Sequence, residues 1–268
     1  MGDGAFDLEN AIVADEERKG ELEIEDAAVG ILPIREIVRR FISRREEWHE
    51  KKPDVYHASD VWYCLRKQVY KYATETVGTE PPFGVFESGR RAEDAIYEAL
   101  KAFYGDEWIR RGLPIEIKRA GYILVGKSDP AKLGPGMQVV VLYEVKSVAR
   151  GGLDYTSGEH HKRQLAIYSV ELKSQRAILV HPGRSDYLDL GQHSLTQDEV
   201  KFYYASAMEY FDKLHAAVTT FRTSQTLPGP EPYHDWECRY CPFLLQCRQD
   251  GGWVRTATAK GEVWKLTK

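Results

Sequence analysis

Cysteine is scarce in this chain of 268 residues, four in all, and methionine is scarcer, with three. So few thiols, in a chain that shows no export pattern, exclude a secreted disulfide scaffold. No apolar run approaches the ~18 residues of a membrane-crossing helix, and 29% of the residues are charged, which excludes a helical integral membrane protein. The opening Met1-Gly2-Asp3-Gly4 lacks the basic and apolar blocks of a signal peptide, so a soluble, cytoplasmic protein without membrane contacts is expected. Internal repeats and low-complexity tracts are absent as well. What is present is a 43% hydrophobic complement, enough at this length to bury a large core, which excludes disorder throughout.

Positive charge is also in short supply. The net charge of −4 argues at first sight against a nucleic-acid binder, but the acids are unevenly placed. Residues 1–26 hold ten acids against two bases, a net of −8, which leaves the remaining residues at +4. Charge therefore permits DNA binding without implying it. The acidic leader, residues 1–32, is expected to be flexible, and it either lies over a basic groove or stays solvated.

Residues 33–250 read as one domain, followed by a tail at 251–268. Ile34, Ile37, Val38, Phe41 and Ile42 recur at helical spacing. Ser59 is placed as the N-cap of a second helix through Tyr70. A third helix spans about Phe86 to Tyr104, with Ala92, Ile96, Leu100 and Phe103 facing inward and Glu93 bordering that face. From Glu107 to Val148 short β-rich runs predict a meander of about four strands. Asp154 to Lys173 reads as a helix, Arg176–His181 and Asp186–Leu190 as strands, and Thr196 to Phe221 as a long helix opened by a capping box. This order predicts an α/β sandwich, a mixed sheet flanked by helices.

Asp129 ends one predicted strand, and Glu144 and Lys146 lie two apart on the next, so that both point to one side. A hairpin turning near Gly134 brings Asp129 alongside them. Paired carboxylates suit a hard divalent cation, magnesium or manganese, and a phosphodiester supplies further oxygens. Nearby acids keep Lys146 protonated, able to position water or to stabilise the phosphate. The competing interpretation, an exposed cross-strand ion pair, does not suit Val139-Val140-Val141-Leu142, a run that reads as a strand buried on both faces. Gln164 and Tyr168 share a helix face, where an amide and a phenol can engage a phosphate and a base; the alternative is that Tyr168 is a core aromatic and Gln164 its solvated neighbour, which these two residues by themselves favour. His160, His161, Lys162 and Arg163 precede them.

All four cysteines fall into one pattern: Cys64, then Cys238, Cys241 and Cys247 as C-x2-C-x5-C. That spacing suits a structural zinc or an iron-sulfur cluster, and a single upstream cysteine with a tight trio favours the cluster. Ligation from Cys64 across 174 residues would fix the start of the domain to its end.

Gly126-x-x-Asp129, Glu144-x-Lys146 and Gln164-x-x-x-Tyr168, bracketed by one upstream and three downstream cysteines, resemble the RecB-type PD-(D/E)XK nucleases over residues 55–250. Within them the chain is most similar to the CRISPR-associated Cas-four exonucleases. The resemblance implies a restriction-endonuclease-like α/β core closed by a four-iron four-sulfur cluster on Cys64, Cys238, Cys241 and Cys247, joining the N- and C-terminal segments. It implies Asp129 and Glu144 as metal ligands, Lys146 as the catalytic lysine, and Gln164 and Tyr168 as DNA-engaging, with Arg90, Arg91, Lys162 and Arg163 as neighbouring bases. The implied activity is metal-dependent exonucleolysis of single-stranded DNA, 5′ to 3′, trimming prespacers beside the adaptation integrase. Two departures stand out: Glu93 occupies a position where the family usually has histidine, and Leu65 one where it often has proline. A viral or repair nuclease of the same superfamily, or a non-catalytic iron-sulfur DNA-binding protein, are the alternatives.

Overall fold

A computed structural model describes residues 52–75, 83–147, 158–183, 190–234, 237–238, 240–251, 253–258 and 261–266. The acidic leader and the helix expected after Pro33 lie outside the described residues. Among those described, no helix is long and apolar enough to cross a membrane.

The larger sheet has five strands in the order β2 (Ile109–Arg110), β5 (Ala131–Leu133), β6 (Val139–Val145), β7 (Arg176–Pro182) and β8 (Leu190–Leu195). Its pairs are antiparallel except β6 with β7, which run parallel and are joined through a helix, α3 (Glu159–Glu171). A parallel pair requires such a crossover. Hydrophobic side chains cover both faces of β6, as its unbroken apolar run requires. Val141, Val145, Ile178 and Val180 pack with Ile96 of α2 (Phe83–Tyr104). Leu142 and Leu179 join the main core with Leu165 and Ala166 of α3 and with Phe211 and Leu214 of α4 (Gln197–Ser224). The expected mixed sheet flanked by helices is therefore present. So is the capping box that starts α4, where the Thr196 side chain accepts from Glu199 N–H and Glu199 reaches back to the Thr196 N–H.

Several local expectations are corrected. The single meander is instead divided between two sheets, because β3 (Pro114–Arg119) and β4 (Tyr122–Lys127) pair with each other and with a short parallel strand, β1 (Val55–His57). Pro130, which has no N–H to give a ladder, marks the step from β4 to β5. Ser59 caps no long helix: Ala58–Asp60 is a single 3-10 turn, and α1 runs Leu65–Ala73 with Cys64 at its N-cap. The intervening Trp62 has φ 65, a conformation through which no α-helix can pass. Phe103 is 81% exposed, and its ring meets the edge of Tyr104 rather than the core. Of the strand expected at Asp186–Leu190, residues 186–189 lie outside the described residues, as do 184–185 and 148–157; β8 runs Leu190–Leu195. The tail carries an antiparallel hairpin, β9 (Trp253–Thr258) with β10 (Gly261–Leu266).

One further feature positions the site. α1 is held by the segment after α4: Arg66 Nε donates to the Pro228 carbonyl (2.7 Å), and the Tyr70 hydroxyl donates to the Asp250 carboxylate (2.8 Å). α5 (Leu244–Gln249) brings Cys247 against Tyr70 and Phe243.

Candidate active site

Glu144 is wholly buried in β6, with 0% exposure, on the Leu142 side of the strand. Lys146 extends the ladder one step beyond β6 through its N–H to the Val180 carbonyl (2.9 Å). Its Nζ turns back to stand 2.5 Å from Glu144 Oε1 and 3.6 Å from Asp129 Oδ2. Asp129 is oriented by the Val145 N–H, which donates to Oδ2 at 2.8 Å. Thus the β5–β6 hairpin gathers the three side chains at one end of the sheet. Burial, then the Asp129 charge, pushes the Glu144 carboxyl up to about 8 against the pull of Lys146. For Lys146, burial favours loss of the proton, but the combined attraction of Glu144 and Asp129 prevails and raises its pKa. Glu93, on α2, has its carboxyl raised by burial and then by Asp129, so it lies within electrostatic reach of the same group.

α3 closes the site from one side, with Tyr168 as the core aromatic. Tyr168 is 2% exposed and belongs to the main core, so its ring cannot stack on a nucleotide. Burial, then the Glu144 charge, raises its phenol pKa, and Gln164, also buried, hydrogen-bonds it. Gly126 explains the fit: a Cβ there would stand 2.6 Å from the Tyr168 hydroxyl. Gly126→Ala is accordingly expected to displace Tyr168 and to lower stability by about 1–3 kcal/mol. Thermal unfolding tests this, and partial recovery is expected when Tyr168→Phe is added.

Of the bases assigned to DNA, Arg163 is 5% exposed, stacked 3.5 Å over Trp62 and bonded to Ser206 and Glu159. It is a packing residue and cannot reach a strand. Lys162 is largely enclosed between Glu159 and Tyr203. Arg90 is half-buried, and Arg91, which pairs with Glu87, is open to solvent.

The four cysteines, remote in sequence, line a single cavity with Arg66, Lys67, Tyr70 and Glu237. Burial, the largest influence in each case, pushes the Cys64 thiol up to about 11 and Cys238 up to about 12. The charges of Cys64, Cys241 and Cys247 add to the rise at Cys238, so the four sulfurs share one electrostatic neighbourhood.

A family model for the PD-(D/E)XK nuclease superfamily matches residues 31–248. The chain belongs to this superfamily. Its members are nucleases that use divalent cations, and DNA is the substrate that membership implies. The crystal structure of SSO0001 matches this PD-(D/E)XK chain with a TM-score of 0.52 and 18% identity, over 81% of this chain and 96% of that one. At that identity the likeness shows a common fold. No curated protein matches the chain.

The residues of this PD-(D/E)XK site fit a cation. Glu144 Oε1 is taken up by the Lys146 ammonium, but Oε2 is buried without a hydrogen-bond partner, and a hard divalent ion satisfies such an oxygen. Asp129, Glu144 and Glu93 are the side chains that would hold it. Among the described residues, no three His, Cys, Asp or Glu groups stand at the spacing of a single-ion site. Between Asp129 and Glu144 the Lys146 ammonium fills the gap, so loading requires it to swing aside.

Sequence reasoning passed over a row of imidazoles behind the lysine. His181 Nδ1 meets the Lys146 carbonyl at 3.2 Å, His161 lies 6.1 Å from His181 between ring centres, and His160 bridges His161 (3.8 Å) and His234 (4.7 Å). Only the pair 160–161 was visible as a motif, because the other two arrive from β7 and from the segment after α4. Burial first, then His234, Lys146, Lys67 and Arg163, lowers the His160 pKa to about 3. Its folded value lies below the ordinary 6.5, so the stability it contributes is present above pH 6.5 and is lost as pH falls towards 3. Between pH 6.5 and 5 the loss is about 2 kcal/mol. Unfolding scans should show this loss in the native chain and a smaller one in His160→Gln.

Proposed function

We propose that this PD-(D/E)XK protein is a metal-dependent exonuclease that degrades single-stranded DNA from its 5′ end, and that it carries a four-iron four-sulfur cluster on Cys64, Cys238, Cys241 and Cys247. The observation that carries the catalytic reading is the fully buried Glu144, one oxygen paired with Lys146 and the other without a partner, beside Asp129. Asp129 and Glu144 hold magnesium or manganese, with Glu93 as a further carboxylate. The bound ion supplies Lewis-acid activation of water and neutralises charge at the phosphate. Lys146, kept charged by its two carboxylates, donates to a phosphate oxygen as negative charge builds there. Tyr168 and Gln164 back the site from within and fix its wall instead of touching DNA; Arg91 is the open cation nearest in sequence to Glu93, suited to the strand's backbone.

The cluster is favoured over zinc by the sequence spacing, one upstream cysteine with a tight trio in place of two C-x2-C pairs. All four line one cavity. Prespacer trimming beside an adaptation integrase is the setting that the motif order favours, in the cytoplasm.

The test is digestion of 5′-labelled, 3′-labelled and circular single-stranded DNA with magnesium or manganese. Stepwise shortening from the 5′ end and an intact circle are expected. Cleavage of the circle at the same rate would overturn the exonuclease reading.

A further inference from the structure

Glu237 lies in the cysteine cavity and does more there than occupy space. Its side chain is 2% exposed, and its carboxylate accepts three backbone hydrogen bonds. Oε2 takes the Cys64 N–H at 2.8 Å; Oε1 takes the Tyr233 N–H at 2.9 Å and the His234 N–H at 3.0 Å. One carboxylate thereby joins the first cysteine, at the N-cap of α1, to the turn that leads into the other three, across 173 residues. A buried carboxylate is costly unless it is fully hydrogen-bonded, and beside four sulfurs the cost rises further. Arg66 and Lys67 on the cavity wall offset part of that charge. A negative group in such a place is there for its geometry and its field.

We infer that Glu237 is the positioning residue of the thiol cavity: it holds Cys64 against the trio and, through its buried negative charge, lowers the electron affinity of the centre bound there. The inference rests on the reading that the thiols hold an iron-sulfur cluster. The two functions separate by substitution. Gln removes the charge and replaces one acceptor oxygen by an amide donor facing an N–H, whereas Asp keeps the charge but is too short to span all three donors.

The experiment uses the full chain, purified without oxygen, as wild type, Glu237→Gln and Glu237→Asp. Midpoint potential is read by redox titration, and retention by the rate at which a chelator bleaches the cluster. Glu237→Gln should raise the potential and bleach at least about tenfold faster, as lost charge-assisted hydrogen bonds imply. Glu237→Asp should stay near the wild-type potential yet bleach faster than wild type. Wild-type potential and bleaching in Glu237→Gln would overturn the assignment. Wild-type protein free of iron and sulfide would instead remove the cluster reading. Glu237 is then judged by alkylation of Cys64 in the full chain: at least about tenfold faster labelling in Glu237→Gln upholds the clasp, and an unchanged rate refutes it.

Discussion

Lys146→Ala protein is expected to cleave single-stranded DNA at least about a thousandfold more slowly than wild type, the loss seen when a fixed donor to a developing oxyanion is removed. Binding of the same strand should persist, because the ammonium is enclosed by Glu144 and Asp129 and meets the phosphate only as the reaction proceeds. Folding should survive too. Removing one member of a buried ion pair usually leaves an uncompensated charge, but the Glu144 carboxyl, already pushed up to about 8, takes a proton when the ammonium is gone. Quenched-flow cleavage alongside filter binding checks both parts. Cleavage within tenfold of wild type would remove Lys146 from the chemistry.

Cys64→Ala should cost about 5 kcal/mol in the metal-loaded protein and lower its unfolding temperature by roughly 10–20 °C. The residue closes a loop of 174 residues to Cys238, so losing it frees the start of the domain from its end. Arg66 to Pro228 and Tyr70 to Asp250 remain as ties; these contacts keep the variant folded at low temperature. Iron content should fall together with stability. A variant that retains full iron and melts within a few degrees of wild type would show that Cys64 is not a ligand.

What the sequence makes legible follows the range of each signal. The α4 capping box and the apolar β6 are written within a few residues, and both appear in the structure. The gathering of Asp129, Glu144 and Lys146 needs one hairpin and is readable from spacing. Ser59 misleads because a cap residue precedes a run that Trp62, at φ 65, interrupts. Helical spacing gives a face but not its depth: Tyr168 is sealed in the main core, and Arg163, on another side of α3, is stacked over Trp62. Glu237 and His181 have no local signal at all. Their roles depend on partners 173 and 35 residues away, respectively, which only the packed chain brings near.

The central claim is that Asp129, Glu144 and Glu93 hold a divalent cation with Lys146 drawn aside. Anomalous diffraction from crystals soaked in manganese tests it most directly. The account predicts a single strong peak bound to Glu144 and Asp129, lost in Glu144→Gln; an empty carboxylate pocket with manganese bound elsewhere would contradict it.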